Sequence, residues 1–317
     1  MDKKDKQILG ELFVNSRISL NKLAKKVGVS REVANYRINK LKKEIIKEFT
    51  TQVNIKKLKF IKYVCFMRFR GITTKEEENI ICYLKDHDSI MYLSPIIGKW
   101  NVSFDIIARD EKELQTKMME ITSKCSDYID TYSIIGTGIE EGNFLTKFVG
   151  TAQKAKPKKI EKPYKVDETD KKILKLLSKN ARLSYVEMAK KLKITPNSIK
   201  YRVKNLEKSG IITGYSIAID FKKLGFELYN IQLRSHESDQ KLTAFLKHHP
   251  QVIYYYKYLG HENWDIDMGL IIENPLSLRK FIIDLRKNFG RTTEIHDIYI
   301  IANIIKENFP ETLWKSN

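Results

Sequence analysis

The sequence predicts an α+β chain in which two winged helix-turn-helix domains alternate with two ferredoxin-like βαββαβ domains. Three observations carry that prediction. A basic three-helix pattern occupies 170–215, the same pattern recurs 165 residues earlier, and each copy is followed by strands and helices in ferredoxin-like order.

The pattern is plainest in the second copy, DKKILKLLSKNARLSYVEMAKKLKITPNSIKYRVKNLEKSGIITGY. Ser184 with Glu187 three residues on forms a capping box that starts the middle helix. Thr195-Pro196 supplies an N-cap and a proline at the first position of the next helix, and Gly210 stands where that helix should stop. Ile199, Val203 and Leu206 share one face of it. Only Lys193 and Ile194 separate the two helices, and a turn that tight before a basic helix indicates helix-turn-helix.

The first copy keeps register with this text. Asp5, Ile8, Leu9, Asn15, Arg17, Ser19, Tyr36, Arg37 and Leu41 match Asp170, Ile173, Leu174, Asn180, Arg182, Ser184, Tyr201, Arg202 and Leu206. Its helices are expected from about Lys3 to Asn15, after the cap Ser19, and after the cap Ser30, with Ala34, Ile38, Leu41 and Ile45 inward in the third. After Leu41 the text reads KKEIIKEF, with no counterpart of Gly210 or Gly214. The third helix is therefore expected to run on past Ile46, leaving the first wing in doubt.

The segments that follow read strand, helix, strand, strand, helix, strand. In the first unit these are Tyr63–Phe69, Thr73–Asp86, Met91–Ile97, Val102–Ala108, Asp110–Ser126 and Thr131–Ile135. In the second they are Tyr229–Arg234, Asp239–His249, Val252–Leu259, Trp264–Ile272, Pro275–Asn288 and Ile295–Ile305. Helices cover one face of such a sheet. The other face needs a partner sheet, so the two ferredoxin-like domains are expected to pair within the chain. The boundaries are 1–50 and 167–214 for the helix-turn-helix domains, 51–149 and 215–317 for the ferredoxin-like domains, and 150–166 for a linker. The linker's six lysines and two prolines describe an exposed tether.

Charge locates the function. Net charge is +19, and all of it resides in two places: residues 1–50 hold 13 basic against 6 acidic, and residues 150–215 hold 18 against 6. A localised excess is the electrostatic footprint of a polyanion, so double-stranded DNA is the expected partner. Helical periodicity turns Glu32, Tyr36, Asn39 and Lys43 away from the core, with Arg31 and Asn35 flanking, and does the same for Asn197, Tyr201, Lys204 and Lys208, with Lys200 flanking. These are the candidate DNA-contacting residues. Arginine and lysine pair with guanine, asparagine with adenine, and glutamate accepts from cytosine. Arg37 and Arg202 border the core stripe and read as structural or backbone-clamping. The two faces differ, mixed in the first copy and basic in the second, so an asymmetric DNA site is expected. Cys65, Cys82 and Cys125 are widely spaced without a C-x-x-C pair, and no run is long enough for a membrane span, so a cytoplasmic location is expected.

The run Val166-Asp167-Glu168-Thr169-Asp170, then Asn180-Ala181-Arg182-Leu183-Ser184, then Leu206-Glu207-Lys208-Ser209-Gly210-Ile211-Ile212-Thr213-Gly214-Tyr215, resembles the leucine-responsive regulatory protein/AsnC (Lrp/AsnC) family. The resemblance covers nearly the whole chain, more specifically in the helix-turn-helix segments than in those that follow. It implies a transcriptional regulator with winged helix-turn-helix and effector-binding, oligomer-forming βαββαβ (RAM/AsnC-type) domains. Two units in one chain depart from the family's single-unit layout. The turns Gly98-Lys99-Trp100-Asn101 and Gly260-His261-Glu262-Asn263-Trp264-Asp265 resemble the family's glycine–aromatic–aspartate loop. That implies an amino-acid-like effector bound by Gly98, Trp100, Asn101, Gly260, Trp264 and Asp265. Read without the resemblance, each turn is equally a hairpin whose glycine supplies positive φ and whose tryptophan packs.

Two other readings share the architecture. Relatives so built decarboxylate siroheme, with histidine-, tyrosine- and arginine-rich motifs in the sheet domain. Here the strand YYYKYLGHENWDIDMGL lacks the HNY-x-R stretch, although His248, His249, His261 and His296 are available. With no Ser/His/Asp set, metal-ligand spacing or phosphate-binding glycine loop, no catalysis, cofactor or metal is expected. A chromatin-coating architectural protein would share every basic feature and differ only in sequence preference.

Overall fold

The computed structural model describes residues 1–136, 139–143, 164–235, 240–258 and 263–314. It contains two compact units, one of residues 1–59, 145–224 and 313–317, the other of 60–144 and 225–312. Like segments therefore join like: both helix-turn-helix copies form one unit, and both ferredoxin-like copies form the other.

In the first unit, α1 (Lys3–Val14), α2 (Leu20–Val27) and α3 (Arg31–Glu44) lead into β1 (Ile46–Val53). The second copy, which follows the first ferredoxin-like segment in the chain, supplies helices α6 (Glu168–Lys179), α7 (Tyr185–Leu192) and α8 (Pro196–Lys208) and the strand β7 (Ile212–Ile219). Side-chain caps start every one of these helices. Ser19, Ser30, Ser184 and Thr195 each accept from the backbone N–H three residues on, and Asp2 and Asp167 form full capping boxes. Gly210 at φ 70° closes the last helix, its N–H donating to Glu207 O and that of Ile211 to Leu206 O.

The expected run-on of the third helix does not occur. α3 stops at Glu44, and the next residues turn into β1 without any glycine. Ile45 and Ile46 are both buried, and β-branched side chains favour an extended backbone. Ile45 N–H still closes on Leu41 O, while Ile45 O already accepts from Asp220 N–H. Strand pairing supplies the stop that glycine supplies in the other copy.

β1 pairs antiparallel with the strand Ile212–Ile219, centred on Phe49↔Ile217 and Thr51↔Tyr215. Contacts across this pair are reciprocal. Ala181 N–H donates to Phe49 O at 2.9 Å, and Ser16 N–H to Tyr215 O at 3.1 Å. Thr51 Oγ1 donates to Leu177 O, and Ser216 Oγ to Phe13 O. Arg17 reaches Ala181 O and Leu183 O, and Arg182 reaches Ser16 O at 2.8 Å. One apolar core spans both copies, from Ile8, Leu12 and Leu41 to Ile173, Leu177 and Leu206.

In the second unit the first half comprises β2 (Ile61–Phe69), α4 (Thr74–Asp86), β3 (Ile90–Ile97), β4 (Val102–Ala108), α5 (Glu111–Lys124) and β5 (Ile129–Gly136), and β6 (Ile139–Asn143) follows it. The other half comprises β8 (Glu227–Ser235), α9 (Gln240–His248), β9 (Val252–Lys257), β10 (Ile266–Ile272), α10 (Pro275–Phe289) and β11 (Thr293–Ile301). The antiparallel orders β5-β2-β4-β3 and β11-β8-β10-β9 are ferredoxin-like, and β3 joins β11. The last strand ends at Ile301, short of the expected Ile305, and a two-residue strand β12 (Lys306–Glu307) then resumes on β3.

Each half packs its helices on one sheet face. The opposite faces meet each other through Val64, Phe66, Ile96, Tyr258, Trp264, Tyr299 and Ile301, so a partner sheet from the same chain covers them. This interior is unusually polar on the β8-β10 side. Asp267, 5% exposed, accepts from Asn230 Nδ2 and from Tyr299 Oη, each at 3.0 Å. Tyr254 Oη donates to Asn230 Oδ1, and its ring lies where a Cβ on Gly269 would come within 2.3 Å, so only glycine fits there.

Burial pushes the Asp267 carboxyl up to about 7, with Asp105 and Asp297 adding repulsion against the two donated hydrogen bonds. The folded state therefore holds a proton that the unfolded chain, at about 3.8, has released. Stability from this group is present at low pH and is lost as pH rises through about 7. Denaturant midpoints measured from pH 5 to 8 should fall for the native chain and flatten for Asp267→Asn. An equal slope in both would exclude Asp267 as the source.

Candidate nucleic-acid interface

Both recognition helices present their expected faces to solvent. Arg31, Glu32, Asn35, Tyr36, Asn39 and Lys43 on α3 are exposed, as are Asn197, Lys200, Tyr201, Lys204 and Lys208 on α8. Tyr36 and Tyr201, equivalent in sequence, are 70% and 68% exposed, so neither is held by the scaffold. Their phenol edges are free for phosphate or base contact. Lys40, outside the expected set, shares the exposed surface of α3.

Arg37 and Arg202 do different work. Arg37 Nη1 binds Asp2 Oδ2 and Asp5 Oδ1, both at 2.7 Å. Arg202 Nη1 binds Asp167 Oδ2 at 2.7 Å and the fully buried Asp170 Oδ1 at 3.0 Å. Each arginine ties its recognition helix to the first helix of its own copy, the structural role read from the core stripe. Hydrogen bonds donated to Asp2 and then to Asp5 raise the Arg37 guanidinium above its ordinary value, and the hydrogen bond to Asp167 is foremost in raising Arg202. Tyr164 Oη adds a third partner to Asp170.

The turns before the recognition helices share one geometry from different residues. Gly28 has φ 68° and Lys193, its equivalent, φ 56°. Left-handed backbone suits glycine and strains lysine. The N-terminal turns also differ. Glu32 folds back on its helix: its own backbone N–H first, then the Ser30 hydroxyl, hold its carboxyl below the usual range. The second copy has Asn197 at that position after Pro196 and carries no acid in its first turn.

The two glycine–tryptophan loops lie in the ferredoxin-like unit. Asn101 Oδ1 accepts from Phe69 N–H at 2.8 Å, and Asp265 Oδ1 accepts from Ser235 N–H at 2.9 Å. Each thus pins its hairpin to a neighbouring strand. Trp100 and Trp264 both pack on Phe66, with ring centroids at 6.0 and 6.5 Å. Gly98 does not use positive φ. A Cβ there would come within 2.9 Å of Tyr299 Cβ, so its glycine is needed for close approach to β11. Gly260 lies outside the described residues. Of the histidines singled out in the sequence, His248 lies near the end of α9, His249 packs against Phe281, His296 is exposed on β11, and His261 lies outside the described residues.

Comparison with known proteins agrees with the helix-turn-helix geometry. A model of the AsnC-type helix-turn-helix domain matches residues 1–42, and one of winged helix-turn-helix DNA-binding domains matches 166–213. The HTH-type transcriptional regulator LrpA of Pyrococcus horikoshii is 53% identical over 66 residues, 21% of this chain and 47% of that protein, so the match spans about half that relative's length. An HTH-type transcriptional regulator of Pyrococcus furiosus is 45% identical over 149 residues, 45% of this chain and 96% of its own length. Among solved structures, the siroheme decarboxylase NirDL covers 99% of this chain and 96% of its own, with a TM-score of 0.64 and 12% identity, a likeness of fold alone. No helix among the described residues is long and apolar enough to cross a membrane.

The exposed lysines and the half-buried ion pair should separate in experiment. Lys204→Ala should lower the slope of log affinity against log salt by about 0.9 and leave the melting transition unchanged. Arg202→Ala should lower the melting transition, because Asp170 loses its cation. Parallel effects of the two substitutions would contradict this division.

Proposed function

We propose, from the premise that this chain belongs to the Lrp/AsnC family of transcriptional regulators, that it is a sequence-specific DNA-binding regulator acting in the cytoplasm, whose single chain brings two different recognition helices to one asymmetric site. The observation that carries this reading is the joined helix-turn-helix unit. Its scaffold is built reciprocally from both copies, while its two outward faces differ in charge and chemistry.

In a symmetric dimer two identical helices read the two halves of a palindrome. Here Glu32, Asn35 and Asn39 offer base-edge chemistry on one helix, and Lys200, Lys204 and Lys208 offer mainly phosphate contacts on the other. Specificity then concentrates in one half-site and electrostatic anchoring in the other. Selection of bound fragments from random DNA at two salt concentrations should return a motif without dyad symmetry that survives the higher salt. Perfect palindromes would overturn the asymmetry. Binding without a motif would favour a coating protein.

The relatives are named as regulators, and NirDL shares fold alone, so we take the chain to be non-catalytic. A small amino-acid-like effector near the two tryptophan loops is the regulatory part of the same proposal. It is supported by the resemblance of the loops and by the convergence of Trp100 and Trp264 on Phe66. One or more amino acids in a panel of twenty should raise the melting transition by mass action. A panel without any such ligand would remove the effector.

A further inference from the structure

The third residue of each recognition helix sits at the same place in the capped N-terminal turn, yet the two copies carry opposite chemistry there. Val33 N–H donates to the cap Ser30 Oγ at 3.2 Å, and Ser198 N–H donates to the cap Thr195 Oγ1 at 3.2 Å. The caps fix both backbones alike. Val33 nevertheless leaves the core stripe of Ala34, Ile38 and Leu41 and is 41% exposed. Tyr36, one turn on, is 70% exposed beside it. Two large apolar side chains stand in solvent on the end of a helix whose first turn is placed to meet base edges. Helix stability does not call for valine here, since β-branched residues are poorer helix formers than most.

We propose that Val33 reads the 5-methyl group of a thymine in the half-site met by the first recognition helix, and that the second helix, with Ser198 in that place, lacks the contact. The proposal rests on the DNA-binding reading above. In the major groove only thymine offers an apolar group among its acceptors and donors, and apolar side chains recognise it by contact. Val33 has two methyl groups to offer and no polar atom to compete for the base. Glu32 beside it rejects phosphate and guanine acceptors and accepts from an exocyclic amine, so the Glu-Val pair favours a thymine next to an adenine or cytosine. The serine of the other copy can donate or accept and gives no preference for the methyl.

The test uses the full chain and a duplex selected from random DNA, with each thymine in turn replaced by deoxyuridine, which removes only the methyl. Anisotropy titrations of the native chain should show one deoxyuridine position, in one half-site, that weakens binding about fourfold, the value of burying one methyl-sized group at about 0.8 kcal/mol. Val33→Ser should bind thymine and deoxyuridine there with equal affinity. Ser198→Val should create a second methyl-sensitive position in the other half-site, which guards against a loss caused by misfolding of the first variant. A specific complex with no methyl-sensitive position overturns the role of Val33 and leaves the DNA-binding reading standing. So does a Val33→Ser variant that still distinguishes the bases. Failure to bind any duplex overturns both.

Discussion

The pairing of β1 with β7 is the constraint on which the helix-turn-helix unit depends. It places the first helix of each copy against the strand of the other, as the bonds from Thr51 to Leu177 and from Ser216 to Phe13 show. Neither copy satisfies its own groups alone. The carbonyls of Ala181 and Leu183 are met by Arg17, and that of Ser16 by Arg182. The half-buried guanidinium of Arg182 has its pKa lowered from the ordinary value by desolvation and then by Arg17, a cost that the shared core and the reciprocal hydrogen bonds offset. Separating the copies would expose the joint core and strand these groups together, so the unit should fold as one.

The ferredoxin-like unit solves a similar problem by different chemistry. Its helix-facing sides are apolar throughout, with Phe104, Leu84 and Ile121 in one half and Met268, Leu246 and Phe281 in the other. Between the sheets the two halves are unequal. Position 103 is serine where position 267 is aspartate, and the hydrogen bonds converging on Asp267 engage β8 and β11, with Tyr254 on β9 reaching it through Asn230. Tyr299 is central to this. Its hydroxyl donates to Asp267, its ring meets Phe66 edge-on at 5.8 Å, and its Cβ faces Gly98. This polar network ties together the four strands of the second half on the face that meets the first.

Much of this was legible because local rules suffice for it. Caps such as Ser184, Thr195 and Ser30, the core stripe of Ile199, Val203 and Leu206, and the exposed faces opposite it all follow from helical spacing. What escaped was set by distant partners. The end of α3 depends on a strand more than 160 residues away, which no glycine in the local text announces. The use of Gly98 depends on Tyr299, and the roles of Asn101 and Asp265 on backbone N–H groups of neighbouring strands.

The duplication has diverged unevenly, and the pattern follows from these constraints. Residues that hold the scaffold remain the same type in both copies: Asp5 and Asp170, Arg17 and Arg182, Arg37 and Arg202. Turn positions tolerate exchange when the backbone is fixed by its surroundings. Glycine at 28 answers lysine at 193, and lysine at 59 answers glycine at 225, all with positive φ. The first turns of the two helices are under neither constraint, and there the copies differ at every position, Arg31-Glu32-Val33 against Pro196-Asn197-Ser198. A homodimer cannot separate its two reading surfaces, because one substitution alters both. A fused pair can, because its scaffold is built reciprocally from both copies while the two helix surfaces are encoded separately.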